Sequence, residues 1–466
     1  MSASMIANDV SELNVYDPQD GLLIATVPLA TRADVEAALA RAVVARDVAR
    51  RLPAYRRTEI LRKTADLVER RQSDFALTIT REGVKTISEA KREVRRCVHT
   101  LRLSAEEASR LCGETIPFDR RPDSENRVGY FTRDPVGIIA AITPFNDPLN
   151  LVAHKVGPAI AAGNAIVVKP HEATPLSALQ LARTLTEAGL PEGICQVLVG
   201  PGEVGDLLVS DHRVRMISFT GGRETGESVV RRAGLKKISM ELGGNCPTII
   251  LADADLDQAV PRCLAGAFSA AGQNCLHVQR ILIHTDVYEE FAMRLVAAAQ
   301  ELKVGNKLDS STDVGPLIDE SAALRIEKMV MDAIDAGARL LTGGTRQGNF
   351  YTPTILENVT RCAAPYRDEI FGPVTILERI ADFEDAIQKA NAVQFGLHSA
   401  IFTRDLSCAF EAVRRLECGS VIVNESTDYR DDGMPFGGVK GSGLGREGVP
   451  FAVMEMTEPK VACFNF

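Results

Sequence analysis

The sequence predicts an α/β fold with two doubly wound parallel sheets, and three observations carry that prediction. From residue 137 onward short apolar runs alternate with helical stretches. Gly137-Ile-Ile-Ala-Ala-Ile142 and Ala165-Ile-Val-Val-Lys169 read as strands, as do 195–199 and 214–219. Between them a stretch ending at Ala162 and the segments 176–189 and 203–209 read as helices. A second pattern of the same kind fills 246–435, with strands near 247–251, 279–284, 351–355, 374–378 and 420–423. Strands separated by helices pair in parallel and are covered on both faces. Lastly, 466 residues are too many for a single core.

Upstream of the strands, residues 31–113 read as helical. Thr31-Arg-Ala-Asp-Val-Glu supplies an N-cap, and apolar positions recur at three and four spacing through Val43, Leu61, Ala65 and Leu67. The pattern continues over 93–111, where Arg95 and Arg96 stand side by side on a helix with Leu101; by local pattern such a pair is a solvated face. Residues 121–134 are polar and turn-rich, with a short alternating run at 128–132, and read as an extended arm. The tail, 454–466, alternates loosely, as an edge strand given to a partner subunit would. Internal repeats and low-complexity linkers are absent.

Composition narrows the class. The chain is 45% hydrophobic and 25% charged, an ordinary globular balance. A net charge of −9 without a long basic tract argues against a nucleic-acid partner. No apolar run approaches the roughly 18 residues of a membrane span. Residues 1–18 lack the basic and apolar regions of an export signal. Cysteines fall at 97, 112, 195, 246, 263, 275, 362, 408, 418 and 463 with no CxxC pair, so neither a disulfide framework nor a metal site is expected. A reducing cytoplasm is the expected location.

The chemistry is expected around Ala271-Gly-Gln-Asn-Cys275-Leu-His-Val-Gln-Arg280, where a cysteine sits in a polar, glycine-led turn. A free thiol, with pKa about 8.5, needs a site that stabilises its thiolate before it serves as a nucleophile. Alone, this stretch accommodates a reactive thiol or a satisfied loop cysteine equally. Phe219-Thr-Gly-Gly-Arg-Glu-Thr-Gly226 joins a strand to a helix with glycines that let backbone N–H groups meet a phosphate. Its spacing is not GxGxxG, and glycines often sit in such turns for the turn alone.

Taken together, a run of motifs in order resembles the aldehyde dehydrogenase superfamily. They are Thr143-Pro-Phe-Asn146, Lys169-Pro-His-Glu172, Phe219-Thr-Gly-Gly-Arg-Glu-Thr-Gly226, Met240-Glu-Leu-Gly-Gly-Asn245, Gly272-Gln-Asn-Cys275, Glu369-Ile-Phe-Gly-Pro-Val and Pro435-Phe-Gly-Gly-Val-Lys-Gly-Ser-Gly443. The likeness runs over essentially the whole chain and is similar to the lactaldehyde and phosphonoacetaldehyde dehydrogenase branch. It implies a three-part subunit: a dinucleotide-binding domain from 1–117 and 137–245, a catalytic domain from 246–445, and a small β oligomerisation arm from 118–136 and 446–466. It implies a homodimer or homotetramer that oxidises an aldehyde with NAD(P).

The same resemblance assigns roles to residues. Cys275 is implied as nucleophile, Glu241 as the base that activates the hydrolytic water, and Asn146 with the Cys275 backbone N–H as oxyanion hole. Cofactor contacts are implied for Thr143, Pro144, Phe145, Lys169, Glu172, Gly202, Phe219, Thr220, Gly221, Gly222, Thr225, Leu242, Glu369 and Phe371. Glu172 suits a ribose 2′-hydroxyl and repels a 2′-phosphate, so NAD is favoured, while Lys169 and Arg223 leave NADP open. This chain departs from the family pattern in two places. Gly222 stands where many members carry Ser or Thr, and Asn245 where a lysine is common.

In the family four stretches line the substrate tunnel. Here they bring Arg96 or its neighbour Arg95, then His154, then Asn274 and His277, then Tyr429 and Arg430. Two arginines and a histidine from different stretches suit an anionic group, because an arginine fork matches paired oxygens. The competing reading pairs Arg430 with Asp431 or Asp432, turns Arg96 to water and makes His154 a satisfied core residue. The expected substrate is a short anionic aldehyde, phosphonoacetaldehyde first. Lactaldehyde, sulfo- or phospholactaldehyde and succinate semialdehyde stand beside it, since Asn274 replaces the arginine usual before the cysteine in phosphonoacetaldehyde enzymes. A CoA-acylating relative is disfavoured by Glu241. A binding protein that kept the fold and lost the chemistry is disfavoured by the retention of Cys275, Glu241 and Asn146.

Overall fold

Two sheets organise the chain, as the alternation of strands and helices predicts; a computed structural model describes residues 12–466. Residues 1–11, which begin the segment read as lacking an export signal and the first part of the expected dinucleotide-binding domain, lie outside the described residues.

The first sheet has six strands in the order Gly443–Leu444, Lys237–Glu241, Met216–Thr220, Ile138–Ile142, Ala165–Lys169, Cys195–Val197. All neighbours are parallel except the short Gly443–Leu444 edge. Its central strands are buried and mostly apolar because helices cover both faces: Ile138, Ile139, Val167 and Ile217 are fully buried. Each such side chain contributes about 1.5–3 kcal/mol relative to exposure. One face takes the helix Asn150–Ala162, buried along its whole length and stopped by Gly163 at φ +84°. The 31–113 region forms four helices, Arg32–Arg51, Ala54–Arg70, Gln72–Glu82 and Ile87–Arg110. Thr31 caps the first as expected, with Asp34 closing a reciprocal capping box.

The second sheet has seven strands: Arg339–Thr342, Thr354–Glu357, Val374–Ile380, Val278–His284, Cys246–Ile250, His398–Phe402, Ser420–Val423. The expected strand at 351–355 begins later, at Thr354, because Pro353 cannot donate to the ladder and Phe350–Tyr351 pairs instead in a separate ribbon. Several strands escaped the periodicity, among them the Glu12–Tyr16 and Leu23–Pro28 ribbon, Lys237–Glu241, Arg339–Thr342 and His398–Phe402.

Residues 457–465 pair antiparallel with Arg127–Pro135 of the same chain along nine positions, and Glu114–Ile116 adds a third strand. Before that strand the chain returns to the first core. Helix Val449–Glu455 packs on Asn150–Ala162 and on Ile87–Arg110. Among the described residues no helix is long and apolar enough to cross a membrane.

Candidate active site

The order of the first sheet reverses at Ile138–Ile142. The next strand in sequence lies on one side of it, and Met216–Thr220 lies on the other. The loops after these two strands therefore diverge and open a crevice at their carboxyl ends, the usual ligand position in such sheets. Opposite it stands the amino end of Val278–His284, with the cysteine turn directly before it. The resulting cleft encloses about 1110 Å³.

All the residues named above for the cofactor line this cleft. Gly222 begins the helix Arg223–Ala233 without a side-chain cap, which leaves that helix's first N–H groups to the cleft. Nothing lies within 4 Å of a Cβ built on Gly222 or on Gly202, so both give backbone access to a ligand. Thr143 Oγ1 and Thr220 Oγ1 are buried without a partner. Lys169 Nζ donates to Glu172 Oε2 at 3.1 Å. Phe145 meets Phe371 edge to face at 5.8 Å, and Phe371 holds φ +49°. Orphaned hydroxyls, an open helix terminus and a lysine–glutamate pair fit a dinucleotide.

The glycines of Glu241-Leu-Gly-Gly-Asn245 have a steric cause. A Cβ on Gly244 would lie 2.2 Å from the Cys275 carbonyl oxygen, so the two segments touch through backbone. Gly244 N–H donates to Glu369 Oε1 at 2.9 Å, and burial pushes the Glu369 carboxyl up to about 7. Asn245, the departure from lysine, anchors the loop ahead of Glu369: its Nδ2 donates to the Tyr366 and Asp368 carbonyls at 2.9 and 3.1 Å. Gln279 holds the same loop from the strand after Cys275, accepting from Ile370 N–H at 2.9 Å.

Cys275, Glu241 and Asn146 come together at the cleft. Cys275 is half-buried; burial raises its thiol above the ordinary range, and the Arg430 charge pulls against that rise. Both Glu241 oxygens are buried with no hydrogen-bond partner. Burial, then the negative Glu447 nearby, holds the Glu241 carboxyl well above the ordinary carboxylate value. No ion pair with Lys236 forms; the Lys236 ammonium donates to the Ala233 carbonyl at 3.2 Å.

The expected substrate residues separate into two groups. Arg96, Asn274 and Arg430 line the cleft; His154 and His277 do not, which corrects that expectation. His154 sits inside the wholly buried helix, its Nε2 2.9 Å from Asp432 Oδ1, and burial lowers its pKa against the pull of that carboxylate. His277 lies two residues past the cysteine on the turn's far side, and burial lowers it to about 4. Arg96 is compensated twice, by Asp432 at 2.8 Å and Asp147 at 3.5 Å. Arg430 differs. Its guanidinium lies 3.6 Å over the Phe436 ring, one nitrogen reaches Glu447 Oε2 at 3.2 Å, and its Nε is buried without a partner. Asn274 spends its Oδ1 on the Leu276 N–H at 3.0 Å, which shapes the cysteine turn.

Sequence reasoning missed Glu447 and Lys155. Lys155 Nζ donates to Glu447 Oε1 at 2.7 Å and to Ser218 at 3.0 Å, both groups being buried. Against burial, Lys155 and Arg430 hold the Glu447 carboxyl down at about 2. The available signal was a lone lysine in the apolar run 149–162; Glu447, in a glycine-rich loop, carried none.

Comparison with known proteins adds the last observation. The family model described as "Aldehyde dehydrogenase family" matches residues 5–462. The chain is 50% identical over 467 residues to aspartate-semialdehyde dehydrogenase 1 of Pseudomonas canavaninivorans, covering 100% of this chain and 99% of that protein. It is 44% identical to 3-sulfolactaldehyde dehydrogenase of Priestia aryabhattai, covering 98% and 95%. Among solved structures, aldehyde dehydrogenase 21 from Physcomitrella patens in complex with the reaction product succinate matches with a TM-score of 0.96 at 41% identity, over 99% and 96% of the two chains.

Proposed function

Since the chain belongs to the aldehyde dehydrogenase family, whose members oxidise aldehydes with NAD(P), we propose that its substrate is a small aldehyde ending in a carboxylate, sulfonate or phosphonate. One observation carries this reading. The buried triad Lys155–Glu447–Arg430 holds two cations against one carboxylate beside the cleft, and the adjacent Glu241 is pushed towards its neutral form. An uncompensated positive charge at low dielectric favours an anionic partner. The relatives point the same way: aspartate semialdehyde, sulfolactaldehyde and succinate each carry such a group on a short chain.

The reaction follows from the residue types. Cys275 loses its proton to solvent and adds as a thiolate through Sγ to the aldehyde carbon, and Asn146 Nδ2 with the Cys275 N–H donates to the oxygen that becomes negative. A dinucleotide held by Lys169, Glu172 and the open helix terminus at Gly222 would supply the hydride acceptor that collapse of this oxyanion requires. Glu241 takes a proton from water, which attacks the Cys275 thioester and frees the carboxylate.

The test is steady-state kinetics on propanal, lactaldehyde, phosphonoacetaldehyde, 3-sulfolactaldehyde, succinate semialdehyde and aspartate semialdehyde. Anionic aldehydes are expected to exceed propanal by about tenfold or more in kcat/KM, or about 1.4 kcal/mol. Arg430→Ala is expected to erase the gap; equal rates for propanal and the anions would refute the reading.

For the cofactor we propose a preference for NAD, with Glu172 beside Lys169 accepting from ribose hydroxyls. In the same assay NAD should exceed NADP by about tenfold, and Glu172→Gln should narrow the ratio by removing charge repulsion from the 2′-phosphate. A ratio unmoved by Glu172→Gln would reassign the discrimination. We also propose a homo-oligomer built on the arm, where Val128, Val461 and Phe464 are exposed. Light scattering should give at least a dimer mass; a monomer mass would end that proposal.

A further inference from the structure

The segment that carries Cys275 is strained. Between helix Leu256–Phe268 and the cysteine, Ala270, Ala271 and Gly272 hold φ of +51°, +53° and +69°. For alanine this region is disfavoured because Cβ crowds the neighbouring carbonyl oxygen. Such a conformation persists only where the surroundings over-determine it, and here two side chains do. Glu89, from the first turn of the helix Ile87–Arg110, accepts the Ala270 N–H on Oε1 at 2.7 Å. Gln273 donates to the Ala270 and Pro316 carbonyls at 3.1 and 3.2 Å and accepts from Ile318 N–H at 3.0 Å. Gly272 completes the arrangement. A Cβ there would lie 2.1 Å from the Gly372 carbonyl oxygen, so the loop rests directly on the backbone that follows Phe371.

We propose that Glu89 is a positioning residue of this enzyme: its carboxylate clamps left-handed Ala270 and so presents Cys275 to the cleft. The proposal rests on the reading of Cys275 as nucleophile. Glu89 serves two segments with one oxygen each. Oε1 takes the loop N–H, and Oε2 takes the Thr86 N–H at 2.9 Å and the Thr86 hydroxyl at 3.1 Å as part of the helix cap. An ionised acceptor makes the shorter and stronger bond to N–H. Glutamine cannot replace it, because its amide nitrogen would face an N–H on one side or the other. Helix stability and loop geometry therefore meet in one buried carboxylate, yet they can be separated. Thr86 shares only the cap, and a glycine at 270 shares only the loop.

The experiment uses the full chain and four readouts: kcat, cofactor KM, melting temperature, and the rate at which iodoacetamide alkylates Cys275, mapped by peptide mass spectrometry. Glu89→Gln is expected to lower kcat by about tenfold or more, as a displaced nucleophile does. The Cys275 alkylation rate should fall with it, while cofactor KM stays within about twofold. Thr86→Ala is expected to lower the melting temperature and leave kcat unchanged. Ala270→Gly, added to Glu89→Gln, should recover most of the lost kcat, because glycine takes this φ without strain.

Wild-type kcat and alkylation in Glu89→Gln would overturn the proposal. So would a loss that Thr86→Ala reproduces, or one that Ala270→Gly does not recover. If Glu89→Gln does not fold, Ala270→Val in the otherwise natural chain tests the same loop. A β-branched residue at positive φ should cut kcat and alkylation together, and unchanged values would overturn the proposal. Failure of the underlying reading looks different: activity that survives complete alkylation of Cys275, whatever residue occupies 89, removes Cys275 from the chemistry.

Discussion

Cys275→Ala is expected to abolish aldehyde oxidation while leaving dinucleotide affinity unchanged. In the proposed mechanism the Cys275 thiol, which lines the cleft, forms the covalent bond with the carbonyl, and hydride departs readily only once that carbon bears an oxyanion. Removing a covalent nucleophile costs on the order of 10⁶-fold in turnover in well-studied hydrolases. The oxyanion donors and substrate binding that remain supply a residual of about 10³–10⁴-fold over water. Cofactor binding should persist, because the orphaned Thr143 and Thr220 hydroxyls, the Lys169–Glu172 pair and the open helix terminus at Gly222 lie on loops that Cys275 does not support. Calorimetric titration with NAD⁺ and a turnover assay check both halves. Turnover within tenfold of the natural chain would require another nucleophile, since substitution by alanine leaves no side-chain nucleophile at 275.

Glu241→Gln should separate the two halves of the reaction. Thiol addition and hydride release need no base at the water, so a rapid-mixing experiment is expected to show a burst of reduced cofactor of about one equivalent per site, followed by turnover about 10²–10⁴-fold slower. In the natural chain burial raises the Glu241 carboxyl, so its ionised form appears only above the ordinary carboxylate range. The sign follows directly. At low pH the base is protonated and idle, kcat climbs as pH rises through the raised pKa, and Glu241→Gln removes that acid limb. A burst lost together with steady turnover would instead give Glu241 the task of deprotonating the thiol.

The strands and helices that build the first sheet were legible because their apolar runs are short, continuous and punctuated. Ile138–Ile142, Ala165–Lys169 and the covering helix Asn150–Ala162 stand where periodicity put them. Lys237–Glu241 was not legible, since it is polar at both ends and owes its place to Met216–Thr220 beside it. The tail read correctly as a strand, but its pairing with Arg127–Pro135 spans more than three hundred residues and left no mark in local pattern.

The site divides along the same line. The glycines of 241–245 and 272–275, the cysteine and the carboxylates belong to short motifs whose residue types the chemistry demands, so sequence alone determined the reaction class. Charge balance was decided elsewhere. Whether Arg96 and Arg430 are free to meet an anion depends on Asp432, Asp147, Glu447 and Lys155, which arrive from distant segments. His154 became a core residue because its helix is buried all round, and helical spacing cannot tell a cleft from a core. Local sequence thus determined which groups the chain possesses. Only tertiary structure decided which of them remain unpaired in low dielectric, because burial and charge pairing are set by neighbours hundreds of residues away.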